Sequence, residues 1–304
     1  MVAAPEIRLM TGDRIVVVGD IVNDIVVVPR SEVRPDTDTP STIRLRPGGS
    51  AANTAVWLGS LGARVDFVGC VGLEDQAQHE AVFADASVTA YLQISADVPT
   101  GTIVILVDGE HRTMLTERGA NSLVSSSAVT DELLSHASVL HISGYSIVGG
   151  FGAKGARELI ERATAAGVTV SVTPGSAGYI ADFGVDRFLD AIVGTTVLFP
   201  NLAEGALLSG QTDAQRIGQA LRERFEIVAL TMGADGVLVF EGKKSTRVPA
   251  PTIQHIADPT GAGDALAAGF LERWVTTRDA VASAEAGAFV AARAIMLVGG
   301  RPAI

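Results

Sequence analysis

The sequence predicts an α/β protein: a doubly wound, mainly parallel sheet with helices on both faces, plus a small β-sheet lid. Two observations lead there. Short β-branched runs alternate with segments of helical periodicity along most of the 304 residues, the pattern of strand–helix–strand units whose strands lie parallel. Two pairs of strand signals then interrupt that rhythm. They are free to pair with each other as a separate sheet at the edge of the main one, where it would cover a site as lids do.

Taken in order, Arg14–Val18 (Arg-Ile-Val-Val-Val) reads as a buried strand and Ser50–Leu61 as an alanine-rich helix. Arg64–Val68, Ser138–Ser143, Val168–Val172, Thr195–Phe199 and Ile227–Thr231 are the further strands of the main sheet. Between them Ala156, Leu159, Ile160 and Ala163 recur at helical spacing, as do Ile217, Leu221 and Phe225. Near the C-terminus Leu266, Phe270 and Trp274, four apart, form one buried helical stripe. The first interrupting pair is Ile25–Val28 and Ile43–Leu45, separated by a polar segment with Pro29, Pro35 and Pro40. The second is Thr102–Val107 and Arg112–Thr116, flanking the hairpin signal Asp108-Gly109-Glu110. The expected organisation is one domain over 1–304, with lid strands inserted at about 25–46 and 100–117. The chain shows no internal repeat, low-complexity tract or long linker.

Composition narrows the function. Hydrophobic residues make up 47% of the chain, which supports a substantial core and argues against global disorder. Lys and Arg total 23 against 34 Asp and Glu, a net charge of −11. No basic cluster interrupts that balance, which argues against nucleic acid as a partner. A small anionic ligand stays compatible, because backbone amides and a metal ion can hold one without a basic surface. Cys70 is the only cysteine, so neither an intramolecular disulfide nor a thiolate metal cluster is expected. Met1-Val2-Ala3-Ala4-Pro5-Glu6 lacks the basic-then-apolar order of a secretory signal. No apolar run approaches the ~20 residues of a membrane helix, so a soluble, cytoplasmic protein is expected.

The chemistry concentrates in glycine-rich turns. Asp258-Pro259-Thr260-Gly261-Ala262-Gly263-Asp264 runs directly into a helix. Gly261, Ala262 and Gly263 let the backbone approach a ligand, and the free N–H groups of a helix start hold an anion. Asp264 on the first turn would lie beside that anion, where a carboxylate can take a proton from an attacking hydroxyl. Favouring the helix dipole is the other role open to it. Gly48-Gly49-Ser50-Ala51-Ala52-Asn53 precedes the first helix; Asn53 offers donor and acceptor to a hydroxylated ligand, and a plain junction capped by Ser50 is the alternative. Gly19-Asp20-Ile21-Val22-Asn23-Asp24 ends the first strand, at the sheet edge where such folds bind ligands. Asn201-Leu202-Ala203-Glu204 reads either as a capping box or as a pair holding metal-bound water near phosphates. Thr231-Met232-Gly233-Ala234-Asp235-Gly236 would pass a nucleotide over a glycine turn, or join Ile227–Thr231 to Gly236–Phe240 as a hairpin. Gly150-Phe151-Gly152-Ala153-Lys154-Gly155 matches the dinucleotide spacing. The ribose-binding acid due about 20 residues on is missing at Val172-Thr173-Pro174, so it reads as a helix entry. A P-loop segment is also absent from the sequence.

Gly48 to Ala55, with Gly62 and Gly72 downstream, resembles the first signature of the ribokinase-like (PfkB) carbohydrate kinases, and Asp258 to Leu271 resembles their second. The resemblance runs over residues 14–304, with the intervening motifs in the family's order. It implies a kinase that passes the γ-phosphate of ATP to a hydroxymethyl group. Asp264 would then be the general base and the Gly261–Gly263 amides the anion hole. Asp24, Gly48, Gly49 and Asn53 would bind sugar; Asn201, Thr231, Gly233 and Gly236 would serve ATP; Glu204 would hold Mg²⁺ through water. The same similarity implies a monovalent cation such as K⁺ on Asp258 and the Thr260 carbonyl, with Gly299 and Ala303 contributing, and a homodimer formed through the lid. Ser50 stands where ribokinases of the family carry Lys, and Thr173-Pro174-Gly175-Ser176-Ala177 replaces the Asp-x-Asn-x-Arg of many fructokinases and ketodeoxygluconate kinases. Nucleoside kinases of the family often begin Gly-Gly-Ser. The expected acceptor is therefore a small sugar, with a nucleoside as alternative. A silent sugar- or nucleotide-binding regulator is the reading from another class, and the intact Asp264 loop argues against it.

Overall fold

The computed structural model describes residues 14–108, 111–297 and 299–302. The main sheet uses β1 (Arg14–Val18), β4 (Arg64–Gly72), β5 (Val88–Ser95), β8 (Ala137–Ser143), β9 (Thr169–Thr173), β10 (Val197–Leu198), β11 (Ile227–Thr231), β12 (Val237–Glu241) and β13 (Lys244–Val248). The lid uses β2 (Val22–Pro29), β3 (Ser41–Gly48), β6 (Gly101–Asp108) and β7 (His111–Glu117). The nine strands run in the order β13-β12-β11-β10-β9-β8-β1-β4-β5. All neighbours pair parallel except β11 with β12 and β12 with β13. The chain moves outward from β1 first to β4 and β5, then restarts at β8 on the other side. β1 and β8 therefore form the topological switch point, where open α/β sheets bind their ligands.

Burial on both faces explains the strand sequences. In β1, Ile15 and Val17 enter one apolar cluster while Val16 and Val18 enter the other, because successive side chains leave opposite faces of a strand. A strand covered on both sides reads as an unbroken β-branched run. The first cluster includes Trp57, Leu266, Phe270 and Trp274 from the helices Ser50–Ser60 and Ala262–Thr277, so the expected C-terminal stripe is buried. The second takes Ala156, Leu159, Ile160 and Ala163 from Gly152–Ala165.

Differences from the expected elements sit mainly at edges and ends. The strand expected over Thr195–Phe199 narrows to Val197–Leu198. The helix carrying Ile217 and Leu221 stops at Leu221, leaving Phe225 buried in the loop beyond it. The hairpin between Ile227–Thr231 and the following strand is present. β5 and β13 lie at the two edges, half exposed and mixed in polarity, without the β-branched run that marks a central strand.

The lid runs β3-β2-β6-β7, with β2 antiparallel to β3, parallel to β6, and β6 antiparallel to β7. Register places Asp24 beside Ile103 and Ile103 opposite Thr116 on the inner face. The outer face carries Leu45, Leu115 and Ile43, which are 75%, 61% and 58% exposed. Residues 109–110 of the expected β6–β7 turn lie outside the described residues. Among the described residues no helix is long and apolar enough to cross a membrane.

Candidate active site

A cavity of about 520 Å³ lies between the C-terminal ends of the sheet strands and the inner face of the lid. Its wall includes Asp20 and Ser146 from the turns after β1 and β8, Ile103 and Thr116 from the lid, and the loop Pro259–Asp264. The sequence-distant motifs expected to share a site do converge here: Asp24, Gly49, Asn53, Asn201, Glu204, Thr231 and Asp264 all line it.

The Ser50–Ser60 helix does not start with the alternative Ser50 cap. Gly49 is the N-cap and offers no side chain. Asp20 supplies the missing acceptor: Ser50 N–H donates to its Oδ2 at 2.6 Å and Ala51 N–H to Oδ1 at 3.3 Å. Ser143 Oγ–H donates to the same Oδ1 at 2.6 Å. Asp20 is thus a long-range cap that ties β1, β8 and this helix together. Ser50 is released from capping, and its hydroxyl donates to Asp264 Oδ1 at 2.7 Å.

Asp264 is 9% exposed and receives a second donor, Asn53 Nδ2, on Oδ2 at 3.0 Å. Burial pushes its carboxyl up to about 7, against the lowering effect of those two hydrogen bonds; nearby Asp20 raises it further and Arg301 lowers it. A carboxylate poised near neutrality and already holding donors for its ionised form is suited to take a proton. Asp24 reaches the cavity wall from β2. No described residue donates a hydrogen bond to it, and burial pushes its carboxyl up to about 6, offset by Arg301. Gly48 leaves room for that carboxylate, since a Cβ there would sit 2.2 Å from Asp24 Oδ2.

Arg301 was not legible as a site residue. It is 9% exposed, with Nε donating to Asn53 Oδ1 and Nη2 to Gly48 O, both at 2.8 Å. The first bond fixes which end of the Asn53 amide faces Asp264. The C-terminal segment is pinned in place by Trp57 Nε1 donating to Gly300 O at 2.9 Å and Gly299 N–H donating to Asp258 Oδ2 at 3.1 Å. Asn121 likewise has no local sequence signal. It exchanges hydrogen bonds with the Ile21 backbone at 2.9 and 2.8 Å and holds the base of the lid to the β1 turn.

The loop opening the Ala262–Thr277 helix turns through Gly261 at φ 77°, and a Cβ there would strike Gly300 at 2.5 Å. Ala262 N–H is used within the turn, donating to Pro259 O at 3.3 Å. Gly263 and Asp264 lie in the first turn, where N–H groups have no partner within the helix. Space above Gly263 is open: nothing lies within 4 Å of a Cβ built there. Gly263→Ala is expected to fold as well as wild type or better, by up to about 1 kcal/mol, while losing turnover as its methyl enters that space. Thermal melting and kcat measured together check this; undiminished kcat would show that the space above Gly263 is not used by a ligand.

Asn201 and Glu204 form the capping box in full. Glu204 N–H donates to Asn201 Oδ1 at 2.9 Å, and Asn201 N–H and Nδ2 donate to Glu204 at 3.0 and 2.8 Å. Glu204 is 3% exposed, and burial raises its carboxyl against those bonds. Thr231 lines the cavity, whereas Gly233 and Gly236 sit in the β11–β12 turn outside its wall. Asp258 lies behind the Pro259–Asp264 loop. Its Oδ1 takes the Thr260 N–H at 2.9 Å and pairs with Arg112 of the lid at 3.2 Å. Ala303, expected near this carboxylate, lies outside the described residues.

Comparison with known proteins agrees with this architecture. A family model described as "pfkB family carbohydrate kinase" matches residues 13–303. An uncharacterised sugar kinase of Archaeoglobus fulgidus is 26% identical over 246 residues, 80% of this chain and 96% of that protein. The ATP-dependent ribose-1-phosphate kinase of Halopiger xanaduensis is 28% identical over 251 residues, 81% of this chain and 80% of that protein. The adenosine kinase of Sinorhizobium meliloti superposes with a TM-score of 0.86 at 24% identity, over 97% of each chain, which shows a shared fold.

Proposed function

The chain belongs to the PfkB carbohydrate kinase family, and on that premise we propose that it is an ATP-dependent sugar kinase that phosphorylates a hydroxymethyl group. The observation that carries the reading is Asp264: a buried carboxylate held by Ser50 and Asn53 on the first turn of a helix that opens into the cavity. In the proposed reaction the acceptor O–H bond breaks as its proton passes to Asp264. The acceptor oxygen bonds the γ-phosphorus, and the bond from that phosphorus to the ADP oxygen breaks. Helix-start N–H groups at Gly263 and Asp264 meet charge on the transferring phosphoryl group. Gly261 and Ala262 shape that anion hole.

Asp24 and Asn53 are assigned to acceptor hydroxyls, with Gly48 and Gly49 giving the backbone clearance. Asn201 and Thr231 face the nucleotide side, where the turn of Gly233 and Gly236 would border ATP. Glu204 fits Mg²⁺ held through water, being a cavity-wall carboxylate whose hydrogen bonds to Asn201 fix its position. When bound, that ion neutralises charge on the phosphates.

A monovalent cation, K⁺, is proposed at Asp258 and the Thr260 carbonyl. Arg112 already lies on that carboxylate, so activation by KCl over choline chloride at matched ionic strength is expected to be larger in Arg112→Ala than in wild type. Equal rates in both salts for both proteins would remove the cation from the proposal. The apolar outer face of the lid is proposed to pair with a second copy, because alternation places Leu45, Ile43 and Leu115 together on it. A single monomeric species in sedimentation would reject that pairing.

The second reading, a nucleoside kinase, is favoured by Tyr145 and Tyr179, which meet edge to face at 6.0 Å on the cavity wall. An ADP-release assay over pentoses, hexoses, sugar acids and nucleosides, with NAD(P)H absorbance followed in parallel, tests the function. Acceptor-dependent ADP release is expected. A chain that binds sugars but releases no ADP with any acceptor would be a regulator instead.

A further inference from the structure

The cavity holds one guanidinium that the proposed chemistry does not use. Arg118 leaves the end of β7 and lines the cavity together with Asp20, Asp24, Glu204 and Asp264, all acidic. Among the described lining residues it is the sole cation. Its guanidinium lies 4.5 Å from the centre of the Tyr179 ring, and Nη1 donates to the Val148 carbonyl at 3.2 Å. No carboxylate pairs with it, and its other N–H groups have no hydrogen-bond partner among the described residues. Its backbone is anchored: Arg118 O accepts from Asn121 Nδ2 at 3.1 Å, and Asn121 is itself bound to Ile21.

Two hydroxyls behind the cavity lining lack partners but are sealed from its space, which leaves Arg118 to carry the inference. Ser146 Oγ and Thr173 Oγ1 are buried and make no hydrogen bond, although both residues line the cavity; Ser146 is 2% exposed. A lone guanidinium without a carboxylate partner in this cavity matches an acceptor that brings negative charge.

We propose that the acceptor carries an anionic substituent, a phosphate or a carboxylate, away from the hydroxymethyl group that is phosphorylated, and that Arg118 binds it. The inference rests on the kinase reading and deepens it. Arg is suited to the task because its planar fork donates two parallel bonds to either anion. Tyr179 holds that fork in place by presenting its ring face to it. The same contact covers one face of the Tyr179 ring, which is then closed to a stacking base. The neutral-sugar alternative leaves the guanidinium without an anion in a wall otherwise acidic.

The test uses acceptors that share a free hydroxymethyl and differ at the other end: ribose, ribose 1-phosphate, ribonate and adenosine, with glucose, glucose 1-phosphate and gluconate as the hexose set. ADP release gives kcat and KM; calorimetry on the same acceptors without ATP reads the subsite without turnover. An anionic member is expected to have the highest kcat/KM, and Arg118→Gln to raise its KM and Kd about 10- to 100-fold while leaving the neutral parent sugar unchanged. Arg118→Lys, which keeps the charge and loses the fork, is expected to fall between. Preference for phosphate over carboxylate, or the reverse, identifies the anion. Highest kcat/KM with adenosine or a neutral sugar, or equal effects of Arg118→Gln on neutral and anionic acceptors, would overturn the proposal. Tight, Arg118-dependent binding of an anionic acceptor without ADP release would uphold the subsite and overturn the kinase reading. Absence of any anion-selective binding would overturn the subsite alone.

Discussion

Asp264→Asn is expected to fold, to bind ATP and acceptor, and to turn over about 10²- to 10⁴-fold more slowly. The substitution keeps the side-chain size, and its oxygen can still accept from Ser50 Oγ. On the other side Asn53 Nδ2 would meet a second amide donor. Asn53 cannot simply flip, because Arg301 Nε holds its oxygen at 2.8 Å. The pH dependence separates lost basicity from lost geometry. In wild type, kcat/KM is expected to fall on the acid side as Asp264 protonates, with an apparent pKa near the value of about 7 to which burial raises it. The variant's residual rate is expected to lack that limb.

Stability carries the opposite sign. A carboxyl whose folded pKa lies above its unfolded one retains its proton better in the folded state. Its ionisation therefore removes stability progressively between pH about 4, the unfolded value, and about 7. Below that window it contributes no difference. Asp264→Asn is expected to lose this decline, which melting curves at pH 4 and pH 8 would read. Near-wild-type kcat, or an unchanged acid limb in the variant, would withdraw the base assignment.

Arg301→Met is expected to be the second most damaging change. The guanidinium lies among Asp20, Asp24 and Asp264; burial depresses its own pKa to about 10, against the raising effect of those three carboxylates. Removing it leaves buried acidic groups without their counter-charge, a change that typically costs about 3–5 kcal/mol. It also frees the Asn53 amide, whose orientation toward Asp264 the Nε bond sets. Because Arg301 lowers the Asp264 pKa, its loss is expected to move the acid limb of kcat/KM to higher pH. Asp24 is expected to shift in the same direction, weakening the acceptor's grip. Arg301→Lys preserves charge without the two-pronged geometry and is expected to keep more stability than activity. Urea unfolding and pH–rate profiles of both variants check this. A limb that stays in place in a folded Arg301→Met protein would make Arg301 purely a packing residue.

How far the residues announced themselves depended on whether their partners are near in the chain. The alternation of β-branched runs with helical stripes sets the fold class, because a buried parallel strand and an amphipathic helix each write their period locally. The two glycine motifs and Asp264 were legible for the same reason: a tight turn, a helix start and a carboxylate on its first turn all lie within seven residues, Asp258 to Asp264. The capping-box alternative at Asn201 and Glu204 is present, and it was legible because that geometry spans a single helical turn. Edge strands β5 and β13 did not, because half-exposed strands mix polar and apolar residues and carry no unbroken run.

The tertiary structure alone decided what each charge faces. Asp20 caps a helix thirty residues on, Arg301 reaches Asn53 across 248 residues, and Arg112 of the lid meets Asp258 at the start of the glycine loop. Asn121 and Arg118 sit in a short stretch after β7 with no periodicity or motif to mark them. Periodicity and turn chemistry are properties of neighbouring residues. The balance of buried charge is a property of distances in space, and only the folded chain sets those distances.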